Sequence, residues 1–279
     1  GWKGEQIIMK KTSKVLSYVL LGAVSLVSLF PFYLMLTMST YKTEEIFKGM
    51  PLLPSGYLME NLKTVFQSNF IQTYINSLFI SILSMIICVC VSAMVGYAMT
   101  VYQFRFKKIL KTFILLTMMV PTQIGIIGYM IEMRTFHMTG TLWPMVFIWC
   151  ANGFGAFWMI QFIGGALPVE IVESARIDGA GELRIFSQMV LPCIKPGILT
   201  LCLLIFLWSW NSYLVPLVFV NNEALNTIPI FIKSLANAYR TDYGAQLTGL
   251  VFATIPLLAM FIAGSKNFIS GLTAGAVKG

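Results

Sequence analysis

The segment Glu170–Pro196 reads EIVESARIDGAGELRIFSQMVLPCIKP and stands apart from the apolar segments on either side of it. It carries Glu170, Glu173, Arg176, Asp178, Glu182, Arg184 and Lys195. A charge at the bilayer centre costs roughly 2.5–3.5 kcal/mol on an insertion scale, so this segment lies outside the hydrocarbon. It still has helical order. Pro168 suits a first helical turn, where a missing N–H costs nothing. Val169, Val172 and Ala175 follow at helical spacing, and Asp178-Gly179 supplies a turn, since Gly adopts the left-handed C-cap cheaply. Asp178 either caps that turn or pairs with Arg176. A second short helix is expected from Glu182, with Leu183, Phe186 and Val190 on one face and Pro192 ending it. A helix–turn–helix with an apolar side is more order than a simple surface loop needs, and suits docking on another protein.

The surroundings are those of a membrane protein. Of 279 residues, 57% are hydrophobic and only 11% charged, against about 25% charged in a soluble domain. Mean hydropathy is +0.80. Six apolar spans are expected at about residues 15–38, 74–101, 109–131, 141–163, 198–220 and 247–263, each near the ~20 residues that cross a bilayer. Pro31 in the first and Pro121-Thr122-Gln123 in the third are tolerable, because neighbouring helices can satisfy the freed carbonyls. The first run is too long for a signal-peptide core and has no cleavage site after it. The expected fold is therefore all-α and polytopic: a cytoplasmic segment 1–14, a six-span domain 15–265 with a cytoplasmic helical loop at 166–197, and a cytoplasmic tail 266–279.

Orientation follows from the basic residues. Lys3, Lys10, Lys11, Lys14, Arg105, Lys107, Lys108, Lys111, Arg176, Arg184, Lys195, Lys266 and Lys278 fall on one side of this topology. They are about two thirds of the 19 Lys and Arg, and the positive-inside rule puts them, the loop and both termini in the cytosol. The net charge of +8 is thus a matter of membrane orientation, and nucleic acid is not an expected partner. The five cysteines are spaced neither as a disulfide framework nor as metal ligands with His137, and read as small buried residues. No Gly-x-x-x-x-Gly-Lys-Ser/Thr phosphate loop and no catalytic constellation is evident. The chain is expected to be no enzyme and to bind no cofactor, with its energy source on another chain or in a gradient.

The segment 170–196 resembles the EAA loop of ABC-importer permeases. That pattern is Glu-Ala-Ala, three residues, Gly, nine residues, then Ile-x-Leu-Pro. Here Glu173-Ser174-Ala175, Gly179 and Met189-Val190-Leu191-Pro192 fall in the same register, with Ser174 and Met189 as departures. Gly96-Tyr97-Ala98, Phe104-Arg105-Phe106, Met118-Met119-Val120-Pro121, Trp210-Asn211-Ser212-Tyr213 with Pro216-Leu217, and the ending Gly271–Gly279 resemble the carbohydrate branch of that family, maltose-type second permeases above all.

The resemblance implies an ATP-driven importer for a carbohydrate, an oligosaccharide, in which this chain lines half of the path. It implies a second homologous permease, an ABC ATPase dimer that holds ATP and Mg, and an extracellular or periplasmic sugar-binding protein that the loop Asn221–Gln246 could touch. Coupling to the ATPase is assigned to Glu173, Ser174, Ala175, Asp178, Gly179, Ala180, Phe186, Leu191 and Pro192. An ATPase-contacting tail is assigned to Thr273, Ala274, Gly275 and Lys278. For the path, Asn211, Trp210, Trp208, Tyr213 and Gln123 are candidates: amides beside aromatic faces suit sugar rings, and equally suit interhelical hydrogen bonding and packing. Two rivals remain. An importer of a charged solute would favour charge within the spans, which is nearly absent, and a gradient-driven transporter would need buried carboxylates.

Overall fold

The computed structural model describes residues 2–235 and 241–276, and the side chains of 14–235 and 241–264. Every regular element among them is helical. In chain order these are α1 (Trp2–Met38), α2 (Thr43–Ile46), α3 (Leu58–Gln67), α4 (Phe70–Val101), α5 (Lys107–Met119), α6 (Thr122–Thr135), α7 (Trp143–Cys150), α8 (Gly153–Ala166), α9 (Val169–Ile177), α10 (Glu182–Ile185), a π turn (Phe186–Val190), α11 (Leu191–Cys193), α12 (Lys195–Trp210), α13 (Leu214–Phe219), a 3₁₀ turn (Glu223–Leu225), α14 (Ile228–Ser234) and α15 (Tyr243–Ala276). Four stretches are long and apolar enough to span a bilayer unaided: Lys14–Met38, Phe70–Val101, Trp143–Ala166 and Tyr243–Gly264. Counting α5 with α6, bent by 102°, and α12, bent by 79° from the charged segment Glu182–Cys193, as one span each gives up to six.

The chain forms two compact units, residues 1–68 with 232–254, and 69–231 with 255–279. In the first unit α1 runs through Pro31 without a break. The carbonyls beyond its C-terminus need partners, and Asn61 of α3 supplies them. Its Nδ2 donates to the Ser39 carbonyl at 2.8 Å and to that of Tyr41 at 2.9 Å. Gly244 opens α15 against this junction, where a Cβ would sit 2.5 Å from the Tyr41 carbonyl oxygen.

The second unit is organised around α4. Ser77, Ser81, Ser84, Cys88, Ser92, Ala93 and Gly96 are all buried along it. Small side chains let helix backbones approach closely where no hydrophobic effect drives them together. The partners answer in kind. A Cβ on Gly155 of α8 would lie 2.6 Å from Ser92 Oγ, and one on Gly96 would lie 2.8 Å from the Met159 backbone. Leu201 and Ile205 of α12 complete this core with Cys88, Met159 and Ile163. Asn76 and Ser77 are polar yet buried, because α4 starts at Phe70 and carries them into its packed length. Asn76 Nδ2 donates to the carbonyls of Ala224 and Asn226, and Ser77 Oγ accepts from the Ile228 N–H.

Three expected spans are not continuous. The third breaks between Met119 and Thr122, since Pro121 has no N–H and drives Val120 into extended backbone at φ −85°, ψ 118°. The fifth begins at Lys195, ends at Trp210 and resumes as α13 only at Leu214. The fourth is interrupted at Ala151–Asn152, where the Asn152 side chain accepts from the Gly155 N–H and caps α8.

Gly96→Ala should therefore wedge α4 from α8. A methyl 2.8 Å from Met159 is overpacking of the kind that costs about 1–3 kcal/mol. Thermal unfolding in detergent should show a lower midpoint, while Gly22→Ala, with nothing within 4 Å of the added carbon, should not.

Candidate functional site

The charged segment folds as a hairpin of helices. Glu170 lies in the first turn of α9, where a carboxylate favours the helix dipole. Val172 and Ala175 point into the core at 0% and 2% exposure, while Glu173 and Ser174 are exposed. The turn is a Schellman motif. The Ala180 N–H donates to the Ala175 carbonyl and the Gly179 N–H to that of Arg176, each at 3.0 Å. Gly179 holds φ 77° there, a conformation that costs other residues more.

Beyond the turn the structure departs from the expected single helix. Pro192 does not end it. The π turn Phe186–Val190 precedes Pro192, and the helical run continues to Cys193. Pro lacks the N–H that would bond the residue four back, and a widened turn accommodates it. The same turn changes the register. Ile185 and Val190, five apart, are fully buried, and Leu183, expected on the inner face, is 86% exposed. Ile177, 87% exposed, is likewise an apolar side chain left outside the core, one helical turn from Glu173 on α9. Among the described residues the Glu173 carboxylate has no ion pair or hydrogen bond. Asp178, Gly179 and Pro192 are exposed, while Ala180, Phe186 and Leu191 are half-buried against the core.

Arg176 pairs with Glu182 rather than Asp178. Arg176 Nε donates to Glu182 Oε1 at 2.7 Å, and the Tyr97 hydroxyl of α4 donates to Glu182 Oε2 at 2.8 Å. The guanidinium lies 5.2 Å from the Tyr102 ring. The Arg176 hydrogen bond, helped by the hydroxyls of Tyr102 and Tyr97, lowers the Glu182 carboxyl from 4.5 to about 2.

A second feature lies where helices break. A cavity of about 920 Å³ is bounded by Val120, Pro121 and Thr122 at the first break, Ala151, Asn152 and Gly153 at the second, and Leu207, Trp208 and Asn211 at the third. Thr117, Tyr129, Trp149 and Phe154 add to its wall, and among the described residues no Asp, Glu, Lys, Arg or His lines it. Irregular backbone at membrane depth is tolerated where it lines a cavity, because elsewhere its polar groups would go unpaired. Asn211 caps α12 by donating from Nδ2 to the Leu207 carbonyl at 2.8 Å. Trp208 packs edge-on against Phe154 at 5.2 Å.

Of the five path candidates, the fold brings Asn211 and Trp208 to this cavity. Trp210 is 2% exposed and stacks on Phe206, with Tyr74 at its edge. Tyr213 precedes α13, and Gln123 lies in the first turn of α6; neither lines the cavity. The side chains of Thr273, Ala274 and Gly275, and all of Lys278, lie outside the described residues. Sequence reasoning missed Asn152, Trp149 and the Glu182–Tyr97 contact. Asn152-Gly153 inside an apolar run was a legible break signal; no local signal joins Tyr97 to Glu182, 85 residues on.

A membrane bundle with an outward-facing helical hairpin and a cavity at its broken helices defines a transport permease. Residues 89–268 match the family described as "Binding-protein-dependent transport system inner membrane component", and the chain belongs to that family. It is 30% identical over 260 residues to the arabinooligosaccharides transport system permease protein AraQ of Bacillus subtilis (strain 168), covering 91% of this chain and 92% of that one. It is 28% identical to the trehalose/maltose transport system permease protein MalG of Thermococcus litoralis, covering 94% and 96%. In structure it is similar to a chain of a bacterial ABC transporter involved in the import of the acidic polysaccharide alginate, with a TM-score of 0.80 at 21% identity over 92% of this chain and 97% of that one. The six-span, all-α importer-permease fold expected from the sequence is thus the fold observed.

Because the folded-state pKa of Glu182 is depressed, its ion pair is fully formed above about 4.5 and is lost only as pH falls toward about 2. Difference infrared spectra of wild type against Glu182→Gln should show no protonated-carboxyl band down to about pH 3.

Proposed function

We propose that this chain is a permease subunit of an ATP-driven importer for a neutral oligosaccharide, set in the plasma or inner membrane with both termini in the cytosol. The observation that carries this reading is the hairpin. Its inner face is sealed in the core, and its outer face offers Glu173, Ile177 and Leu183 on a turn fixed by Gly179. Exposed apolar groups beside an unpaired carboxylate, on a rigid support, suit the cleft of a separate ATPase, where an arginine would meet Glu173. That ATPase dimer would hold the ATP and Mg. A second, homologous permease would close the other side of the path. An extracellular or periplasmic binding protein would deliver the solute, as in the alginate transporter solved with its pentasaccharide-bound periplasmic protein.

The cavity supports the solute class. Its wall combines indole and phenyl faces with the amides of Asn152 and Asn211 and the hydroxyls of Thr117 and Thr122, and carries no charge. Sugar rings present C–H faces to aromatics and hydroxyl edges to amides, while a carboxylated or cationic solute would be desolvated there without a counter-charge. In operation ATP closes the ATPase dimer, the docked hairpin is carried with it, and the path switches its opening. Hydrolysis reverses the switch.

Gentle purification of the tagged chain from its native membrane should bring down a second permease and an ATPase. Glu173→Ala should lower the ATPase recovered about fivefold or more, as expected for loss of one charge-assisted contact, and leave the second permease in place. A wild-type chain that purifies alone would overturn the reading.

Asn211→Ala should raise the KM for uptake of the neutral oligosaccharide that the co-purified binding protein holds, by about tenfold for one lost hydrogen bond to a buried sugar. ATPase recovery should not change. Uptake at the wild-type KM would make Asn211 a helix cap only.

A further inference from the structure

The apolar underside of the hairpin explains why it sits on the helices beneath it. Apolar burial is non-directional, however, and does not by itself fix the hairpin against sliding. The contacts that do have direction converge on one carboxylate. Glu182 spends its two oxygens separately, Oε1 on Arg176 of α9 and Oε2 on the Tyr97 hydroxyl of α4. The Tyr97 ring in turn packs against Phe186 at 5.5 Å and against Tyr102 at 5.9 Å, and Tyr102 carries the Arg176 guanidinium over its face. Both sides of the Gly179 turn are thereby tied to the last turn of α4.

An ion pair whose side chains are 35% and 46% exposed adds little to stability, because solvent screens it. Its value is geometric. The hydrogen bonds fix the distance and angle between α9, α10 and α4. What lies behind that point is stiff. Gly96, next to Tyr97, lies against Met159 of α8, and Ser92 and Cys88 lie against Gly155. The first turn of α8, capped by Asn152, is part of the cavity wall.

We infer that Glu182 is the positioning residue of the hairpin: by holding Arg176 and Tyr97 at once, it makes the hairpin and the inner end of α4 move as one body, so that displacement imposed from outside reaches α8 and the cavity. This rests on the proposed docking of the hairpin on an ATPase, and adds the element by which that motion enters the membrane. Glu182 itself need not touch the ATPase; it acts through Arg176 and Tyr97.

The test uses the whole transporter as purified with its partner permease and ATPase, placed in nanodiscs. Spin labels on cysteines at Arg105, beyond α4, and at Ser187, on the π turn, report their separation without nucleotide and after trapping with ATP and vanadate. In the wild type the separation should stay within about 2 Å between the two states, whereas in Glu182→Ala it should shift by about 5 Å or double in width, the scale of one element slipping past another. Glu182→Gln, whose carbonyl oxygen can still accept from Arg176 and whose amide N–H can donate to the Tyr97 hydroxyl oxygen, should behave as wild type. Wild-type distributions in Glu182→Ala overturn the inference. Loss of the ATPase from the Glu182→Ala complex also overturns it, since Glu182 would then be a docking residue. A wild-type complex that hydrolyses no ATP and cannot be trapped refutes the docking reading itself, and the inference falls with it.

Discussion

A backbone N–H or carbonyl left unpaired in hydrocarbon costs several kcal/mol, and this structure is arranged around that cost. It makes every described element a helix, and it decides where a helix is allowed to stop. The interruptions at Val120–Pro121, at Ala151–Asn152 and after Trp210 are expensive anywhere but beside a polar space. They border one cavity. There Asn152 and Asn211 repay part of the cost by capping the helices they interrupt. The features that would carry a solute therefore follow from the same rule that makes the bundle helical.

The second organising element is the row of small residues on α4. Ser84, Cys88, Ser92 and Gly96 let α8 and α12 approach closely enough to interlock, as the Gly96–Met159 and Gly155–Ser92 approaches show. Such packing resists deformation, because interiors this tight have few intermediate arrangements. On this support the charged hairpin is itself rigid: a Schellman turn at Gly179, an apolar underside of Val172, Ala175, Ile185 and Val190, and the Glu182 contacts at its flank. Membership of the binding-protein-dependent permeases and the form of this hairpin are consistent with each other.

Much of this was legible in the amino-acid sequence by itself. Apolar runs of bilayer length and the cost of charge in hydrocarbon determined a polytopic helical protein with one charged helical segment outside the hydrocarbon. Gly179 marked its turn, because few other residues hold a positive φ so cheaply. These are properties of single residues and short periods, and they survive without knowledge of any neighbour. Only the tertiary structure decided which groups meet. The π turn before Pro192 turned Leu183 outward and Ile185 inward, a register that no 3.6-residue count anticipates. Burial withdrew Trp210 from the cavity and left Trp208 on its wall, although both share one helix. The partner of Arg176 proved to be Glu182 and not the nearby Asp178, and α4 brings Tyr97 to the other oxygen of the same carboxylate. Sequence specifies what each residue can do at its own position; which pairings are realised depends on distances between segments remote along the chain, and those are set by packing.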